Sequence, residues 1–303
     1  MSNMRKTFQA RGVYVFVMTP FKTTTNRRGQ YEIDLSGLEK NIAHFAAVPG
    51  DKTMVICGGS GEFYDLSPSE IRDIAHASVA GAAGRCKIIS GIGRTDKIAV
   101  QMAQAAESAG CDAVLVMPHE PVVKQGDEAI WKRHQLIAKH INIGLLPFRA
   151  PSQTLSIDLV KRFANMDKVV AIKEESGAVD WVRTGCLVTQ NRVPFITGGS
   201  ENMVPYYYLS GAVGFTTGMA NLTLSRSITL HQTALSGLWD KAMALRDYFE
   251  PLSDLRKELG NAMLKTGLEL LGLSGGPIRA TGKQLSTTER RRVQRLLKQQ
   301  GIL

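Results

Sequence analysis

Val169-Val170-Ala171-Ile172-Lys173, followed by Glu174, reads as a short buried strand that ends on a single amine. Working outward, seven more apolar, strand-like runs share its character: Val13–Met18, Thr53–Cys57, Lys87–Ser90, Ala113–Met117, Ile143–Leu146, Phe195–Thr197 and Ala212–Thr216. Amphipathic stretches lie between them, among them Leu35–Ala47, Pro68–Ala82, Asp96–Ala109, Ala129–His140 and Ser156–Phe163. Short buried strands alternating with helical patterns argue for a parallel sheet with crossover helices. Eight repeats over about 220 residues fit a closed (β/α)₈ barrel. After Thr217 the pattern is helical only: Leu224–Gly237, Leu238–Leu259, Asn261–Leu271 and Thr287–Gln299. The expected organisation is therefore a barrel over residues 1–223 with a helical extension over 224–303, with no low-complexity linker between them.

Composition narrows the function classes. A chain of 303 residues with 44% hydrophobic and 21% charged residues and 29 glycines has the balance of a globular α/β protein. No apolar run approaches the roughly 20 residues of a membrane span, and Val13–Met18 is too short for a signal-peptide core. Cys57, Cys86, Cys111 and Cys186 form no Cys-x-x-Cys pair and read as buried free thiols of a cytoplasmic protein. The net charge of +10 is partly local, since Arg290, Arg291, Arg292, Arg295 and Lys298 share one C-terminal helix with Glu289. Without interleaved aromatics or a nucleic-acid motif, that helix reads as a solvated face. The remaining excess suits a small anionic ligand.

In a barrel, chemistry belongs where strands end and loops begin. Here the exits read Gly58-Gly59-Ser60-Gly61-Glu62, Gly91-Ile92-Gly93-Arg94-Thr95, Gly198-Gly199-Ser200 and Thr217-Gly218. Glycines let backbone N–H groups approach an anion closely, and the Ser60 hydroxyl adds a donor. The first strand lacks a following Gly-x-Gly-x-x-Gly, and no Walker lysine motif occurs. His44, His76, His134, His140 and His231 fall in helical stretches without metal-site spacing, so no metal is expected. Lys173, at the tip of a buried strand, is favoured in its neutral form, and a neutral amine serves Schiff-base chemistry with carbonyl substrates.

Thr19-Pro20-Phe21, Gly58–Glu62, Gly91-Ile92-Gly93-Arg94 and Ile172-Lys173, in that order, resemble the dihydrodipicolinate synthase/N-acetylneuraminate lyase family over nearly the whole chain. Gly58–Leu66, Leu115–His119 and Gly275–Arg279 are most similar to its 5-dehydro-4-deoxyglucarate dehydratase branch. The resemblance implies a barrel with a C-terminal helical domain, assembled as a homotetramer (a dimer of dimers). It also implies that Lys173 forms an imine with a 2-oxo acid whose carboxylate is held at Gly59 and Ser60, with Gly61, Glu62, Gly198 and His119 lining the substrate site. The imine then acts as electron sink for loss of water and carbon dioxide, with no cofactor. Arg149 and Arg94 are the candidates, by position, to meet a second carboxylate.

The chain departs from that pattern at Phe148, which stands where the family carries a proton-relaying tyrosine. A phenyl ring cannot transfer a proton, and His119, Glu120, Glu174 and Tyr64 are the side chains weighed as substitutes. Lys173-Glu174-Glu175-Ser176-Gly177 also differs from the branch's Lys-Asp/Ser-Ser-Gly segment. Three readings stay open: a decarboxylating hydro-lyase, a 2-oxo acid aldolase or synthase, and a degenerate 2-oxo acid binder.

Overall fold

In the computed structural model, which describes residues 3–27 and 29–303, the eight runs become parallel strands around one core. They are β1 (Gly12–Phe16), β2 (Lys52–Ile56), β3 (Lys87–Ile92), β4 (Ala113–Val116), β5 (Gly144–Leu146, resuming at Phe148–Arg149), β6 (Ile172–Glu174), β7 (Phe195–Thr197) and β8 (Gly214–Thr217). Strand β1 pairs with β2 on one side and β8 on the other, so the sheet turns back on itself. The first half of β5 pairs with β4 and the second half with β6, and a bridge between Leu145 and Val169 completes the ring. The result is a (β/α)₈ barrel carrying C-terminal helices.

The break in β5 falls at Pro147, which has no N–H to give to a neighbouring strand. Its carbonyl still accepts the Lys173 N–H at 2.9 Å, and Phe148 lies in register with Lys173. Two expected limits shift. Strand β6 begins at Ile172 rather than Val169 and continues through Glu174, which puts Lys173 inside the paired segment and not at its tip. Strand β3 runs on through Gly91 to Ile92, pairing with β4 to that point. A hairpin of Phe21–Thr25 and Tyr31–Ile33 and a helix at Val179–Thr189 add elements that the sequence pattern does not announce.

The helix starts follow side-chain chemistry. Ser67 and Glu70 make a reciprocal capping box at Pro68–Ala82, Thr95 caps Asp96–Ala109, and Ser156 caps Ile157–Ala164. Near the start of the chain, buried Arg5 donates to the carbonyls of Ala164, Met166 and Val169, tying the helix Asn3–Phe8 to the lead-in of β6.

After β8 come the helices Ala220–Leu235, Trp239–Leu259, Asn261–Leu270 and Thr287–Gln299. The first spans residue 223, where Thr223 leaves helical geometry (φ −132°, ψ 23°). Phe249, Leu252, Met263, Leu268, Val293 and Leu297 belong to the same hydrophobic cluster as the strands. Among the described residues no helix is long and apolar enough to cross a membrane, and the four cysteines are unpaired.

Candidate active site

The strand exits surround a cavity of about 500 Å³. Phe16 and Lys173 come from the strands themselves, Gly59 and Ser60 from the β2 exit, Ser152 from the β5 exit, and Gly199 and Ser200 from the β7 exit. Half of the positive-φ residues other than glycine among the described residues lie at these exits. Cys57, Glu62, Arg94 and Ser200 all hold positive φ (52°, 62°, 68° and 59°), a region that side chains other than glycine occupy only when the surroundings impose it.

Lys173 is 3% exposed, and its Nζ lies between two aromatic rings, 4.3 Å from the Phe16 centroid and 3.8 Å from the Phe148 centroid. The Glu175 carboxylate makes an ion pair with the same nitrogen. Burial pulls the lysine pKa down from its ordinary value, and Glu175 opposes that pull. The amine is thus desolvated yet reachable from the cavity, the setting a nucleophilic lysine requires.

Glu174, next in the chain, faces the other way and is fully occupied. It is buried and accepts from Arg149 at 2.7 Å, from the Ser176 N–H at 2.6 Å and from the Tyr207 hydroxyl. The Arg149 guanidinium also stacks on Trp181 at 4.8 Å. Arg149 is therefore committed to Glu174 and lies outside the cavity lining, which removes it as the expected partner of a second carboxylate. Arg94 is also absent from this lining: it donates to the Leu66 carbonyl, packs over Phe63 and borders the adjoining cavity beside His119.

The cationic side chain that does reach the cavity, besides Lys173, is Arg256 of the helix Trp239–Leu259. Its Nη2 lies 3.4 Å from the Ser60 hydroxyl, a long and weak contact. Burial lowers its pKa, while Glu201 and Glu175 favour its charge. Gly218 makes room for it, because a Cβ there would stand 2.7 Å from Nη2. A guanidinium so placed beside Gly59 and Ser60 is equipped to receive a carboxylate.

Of the side chains singled out from sequence, the structure brings Lys173, Phe148, Gly59 and Ser60 to one cavity, with Tyr64 at its rim. Gly61 and Glu62 turn away from it: Glu62 meets Lys265 Nζ at 2.5 Å and accepts the Arg279 N–H at 2.7 Å, which anchors the glycine-rich turn. His119 and Glu120 line an adjoining cavity of about 430 Å³ that shares Tyr64, Pro118 and Ser152 with the first. Gly198 lies beneath Glu175, where a Cβ would approach the glutamate Cγ to 2.3 Å. Sequence reasoning missed Glu175 and Arg256, while Thr217 was placed at the last strand exit without a role. Arg256 sits in the charged pattern Asp254-Leu255-Arg256-Lys257-Glu258, which reads as a solvent face, and only tertiary packing turns it inward. Glu175 carried a signal in being one of two adjacent acids after the lysine, but not which of them faces Nζ.

Among the described residues no cluster of His, Cys, Asp or Glu is placed to hold a metal ion. Residues 9–300 match the dihydrodipicolinate synthetase family. The chain belongs to that family. Its members are lyases, and curated relatives of this chain include proteins named for two activities. A protein of Chelativorans sp. (strain BNC1) named "Probable 5-dehydro-4-deoxyglucarate dehydratase" is 28% identical over 239 residues, covering 77% of this chain and 79% of its own length. The 4-hydroxy-tetrahydrodipicolinate synthase of Methanospirillum hungatei JF-1 is 26% identical over 286 residues, covering 92% and 96%. The crystal structure of dihydrodipicolinate synthase from Oceanobacillus iheyensis superposes with a TM-score of 0.86 at 26% identity, covering 99% of this chain and all of that one.

Proposed function

We propose that this dihydrodipicolinate synthetase family member is a Schiff-base lyase for an anionic 2-oxo acid, and that its reaction is the decarboxylating dehydration of 5-dehydro-4-deoxyglucarate or a related 2-oxo sugar acid. The observation that carries the reading is the desolvated Lys173 amine facing a cavity whose wall holds Gly59, Ser60 and Arg256. The carboxylate next to the oxo group is received by the Gly59–Ser60 turn and the Arg256 guanidinium, which leaves the carbonyl carbon within reach of Nζ. Attack by the amine and loss of water give an iminium, which acidifies the adjacent carbon–hydrogen bond. The hydroxyl on the next carbon then leaves as water, and the conjugated iminium accepts the electron pair released when the distal carboxylate departs as carbon dioxide. Hydrolysis frees 2,5-dioxopentanoate and restores the lysine. The nearby dehydratase relatives support this substrate class, and the two phenyl rings around Nζ suit an eliminating site that carries no tyrosine there.

A second reading, condensation of a pyruvate-derived enamine with an aldehyde, is favoured by the synthase relatives, which match at nearly the same identity over more of the chain. We infer a homotetramer as the working assembly, which analytical ultracentrifugation measures directly. The test of function is mass spectrometry after borohydride treatment with pyruvate and, separately, with 5-dehydro-4-deoxyglucarate. An adduct on Lys173 together with carbon dioxide release from the second compound supports the dehydratase. An adduct with pyruvate alone, and its condensation with an added aldehyde, moves the assignment to the synthase reading. No adduct with either removes the Schiff-base reading and leaves a non-catalytic binder.

A further inference from the structure

We propose that Glu175 is the proton-transfer residue of this site, a catalytic carboxylate that relays every proton entering or leaving at Lys173 and at the carbon next to the imine. The proposal rests on the Schiff-base reading above and adds the group that chemistry lacks. A buried lysine must lose a proton before it can attack, the departing hydroxyl must gain one, and the carbon beside the imine must yield one. The rings of Phe16 and Phe148, which flank Nζ, can do none of this.

Glu175 meets the geometric demands. Its carboxylate contacts Nζ directly, and its side chain is 40% exposed, toward the cavity that it helps to line. It is the cavity's one carboxylate among the lining residues. Its neighbour Glu174 has no freedom to serve, being held by Arg149, Ser176 and Tyr207 away from the ligand space. The position of Glu175 is also built in. Gly198 donates its N–H to the Glu174 carbonyl at 2.6 Å and leaves the space that the Glu175 side chain fills, since a Cβ at 198 would overlap Cγ.

The carboxylate takes one proton from the Lys173 ammonium, and the free amine adds to the carbonyl carbon while the resulting acid protonates the carbonyl oxygen. The carboxylate then removes a proton from the positively charged nitrogen of the adduct and delivers it to the new hydroxyl, which leaves as water. The iminium and the carboxylate remain. Finally the carboxylate takes a proton from the adjacent carbon, whose electron pair forms the enamine, and the acid so formed protonates the hydroxyl that is eliminated.

The test uses pyruvate, so it does not depend on the physiological substrate. Loss of the methyl signal by proton NMR in heavy water reports proton removal next to the imine, and borohydride trapping reports the imine itself. We expect Glu175→Gln to slow methyl exchange by about 10²–10⁴-fold, the usual contribution of a positioned acid/base. Imine formation should slow as well. An ion-pair role alone predicts the opposite, because removing the carboxylate lowers the lysine pKa further and raises the fraction of free amine. Gly198→Ala, which displaces the carboxylate without deleting it, should shift exchange in the same direction. Wild-type protein that traps pyruvate while Glu175→Gln exchanges within about threefold of it overturns the proposal alone. Wild-type protein that forms no adduct overturns the Schiff-base reading and the proposal with it.

Discussion

Lys173 shows how a site residue and a stability residue can be at odds. Its charge is buried between two rings, and replacing it by a methionine keeps the packing while removing that charge from the interior; its partner Glu175, 40% exposed, can take up water in its place, so no buried charge is stranded. Lys173→Met should therefore form no borohydride-trapped adduct yet match or exceed the wild-type thermal midpoint in calorimetry. Arg256→Leu tests the anion site: the half-saturating concentration for an anionic 2-oxo acid should rise about 10–100-fold with turnover nearly unchanged, the signature of lost ground-state binding through a charged hydrogen bond. Gly218→Ala should move it the same way, because the added methyl meets Arg256 Nη2 at 2.7 Å. Lys173, Gly59 and Ser60 were legible because apolar runs and glycine turns announce themselves locally. Arg149 and Arg256 were not, since only the folded chain decides that the first pairs with Glu174 and the second reaches Ser60.

The turn Gly58–Glu62 depends on the segment Gly275–Arg279 to hold its shape. Glu62 adopts φ 62°, accepts the Arg279 N–H and pairs with Lys265, whose Nζ also donates to the Pro277 carbonyl at 2.7 Å. The Arg279 guanidinium reaches Glu70 at 2.6 Å and the Asp65 carbonyl at 3.2 Å. Gly276 has φ 78°, and a Cβ there would stand 1.8 Å from the Phe21 carbonyl oxygen. Removing one side of the buried pair leaves the other unpaired, so Lys265→Met should cost about 3–5 kcal/mol of stability in urea melts, and adding Glu62→Gln should recover part of it. In the sequence, Gly275-Gly276-Pro277-Ile278-Arg279 was a recognisable string without a reason. Its purpose is long-range, a strut beneath a loop more than two hundred residues earlier, and no local pattern encodes that.

For the molecule as a whole, two histidines set an acid limit. His134 and His231 are each 1% exposed, and burial lowers both pKa values to about 4. The unfolded chain, with histidines near 6.5, binds more protons between those values, so these two residues cost no stability above pH 6.5 and progressively more as pH drops toward 4. Unfolding free energy should be lower at pH 5 than at pH 7 by about 2 kcal/mol for each histidine, read from paired urea melts, and His134→Leu should flatten part of the slope. At this scale the alternation of runs was enough to foresee the barrel, because each buried strand needs neighbours and each crossover needs a helix. The divided fifth strand was not foreseen, although Pro147 stood in plain view, because the split only has meaning once β4 and β6 lie on either side. One consequence concerns how such a protein could change its diet. The proposed nucleophile, Lys173, belongs to the barrel, whereas Arg256 arrives on a helix that follows it. Exchanging the helix Trp239–Leu259 between relatives would recode which anions are admitted while leaving the reacting nitrogen undisturbed, so chemistry and choice of meal are written on separate stretches of the gene.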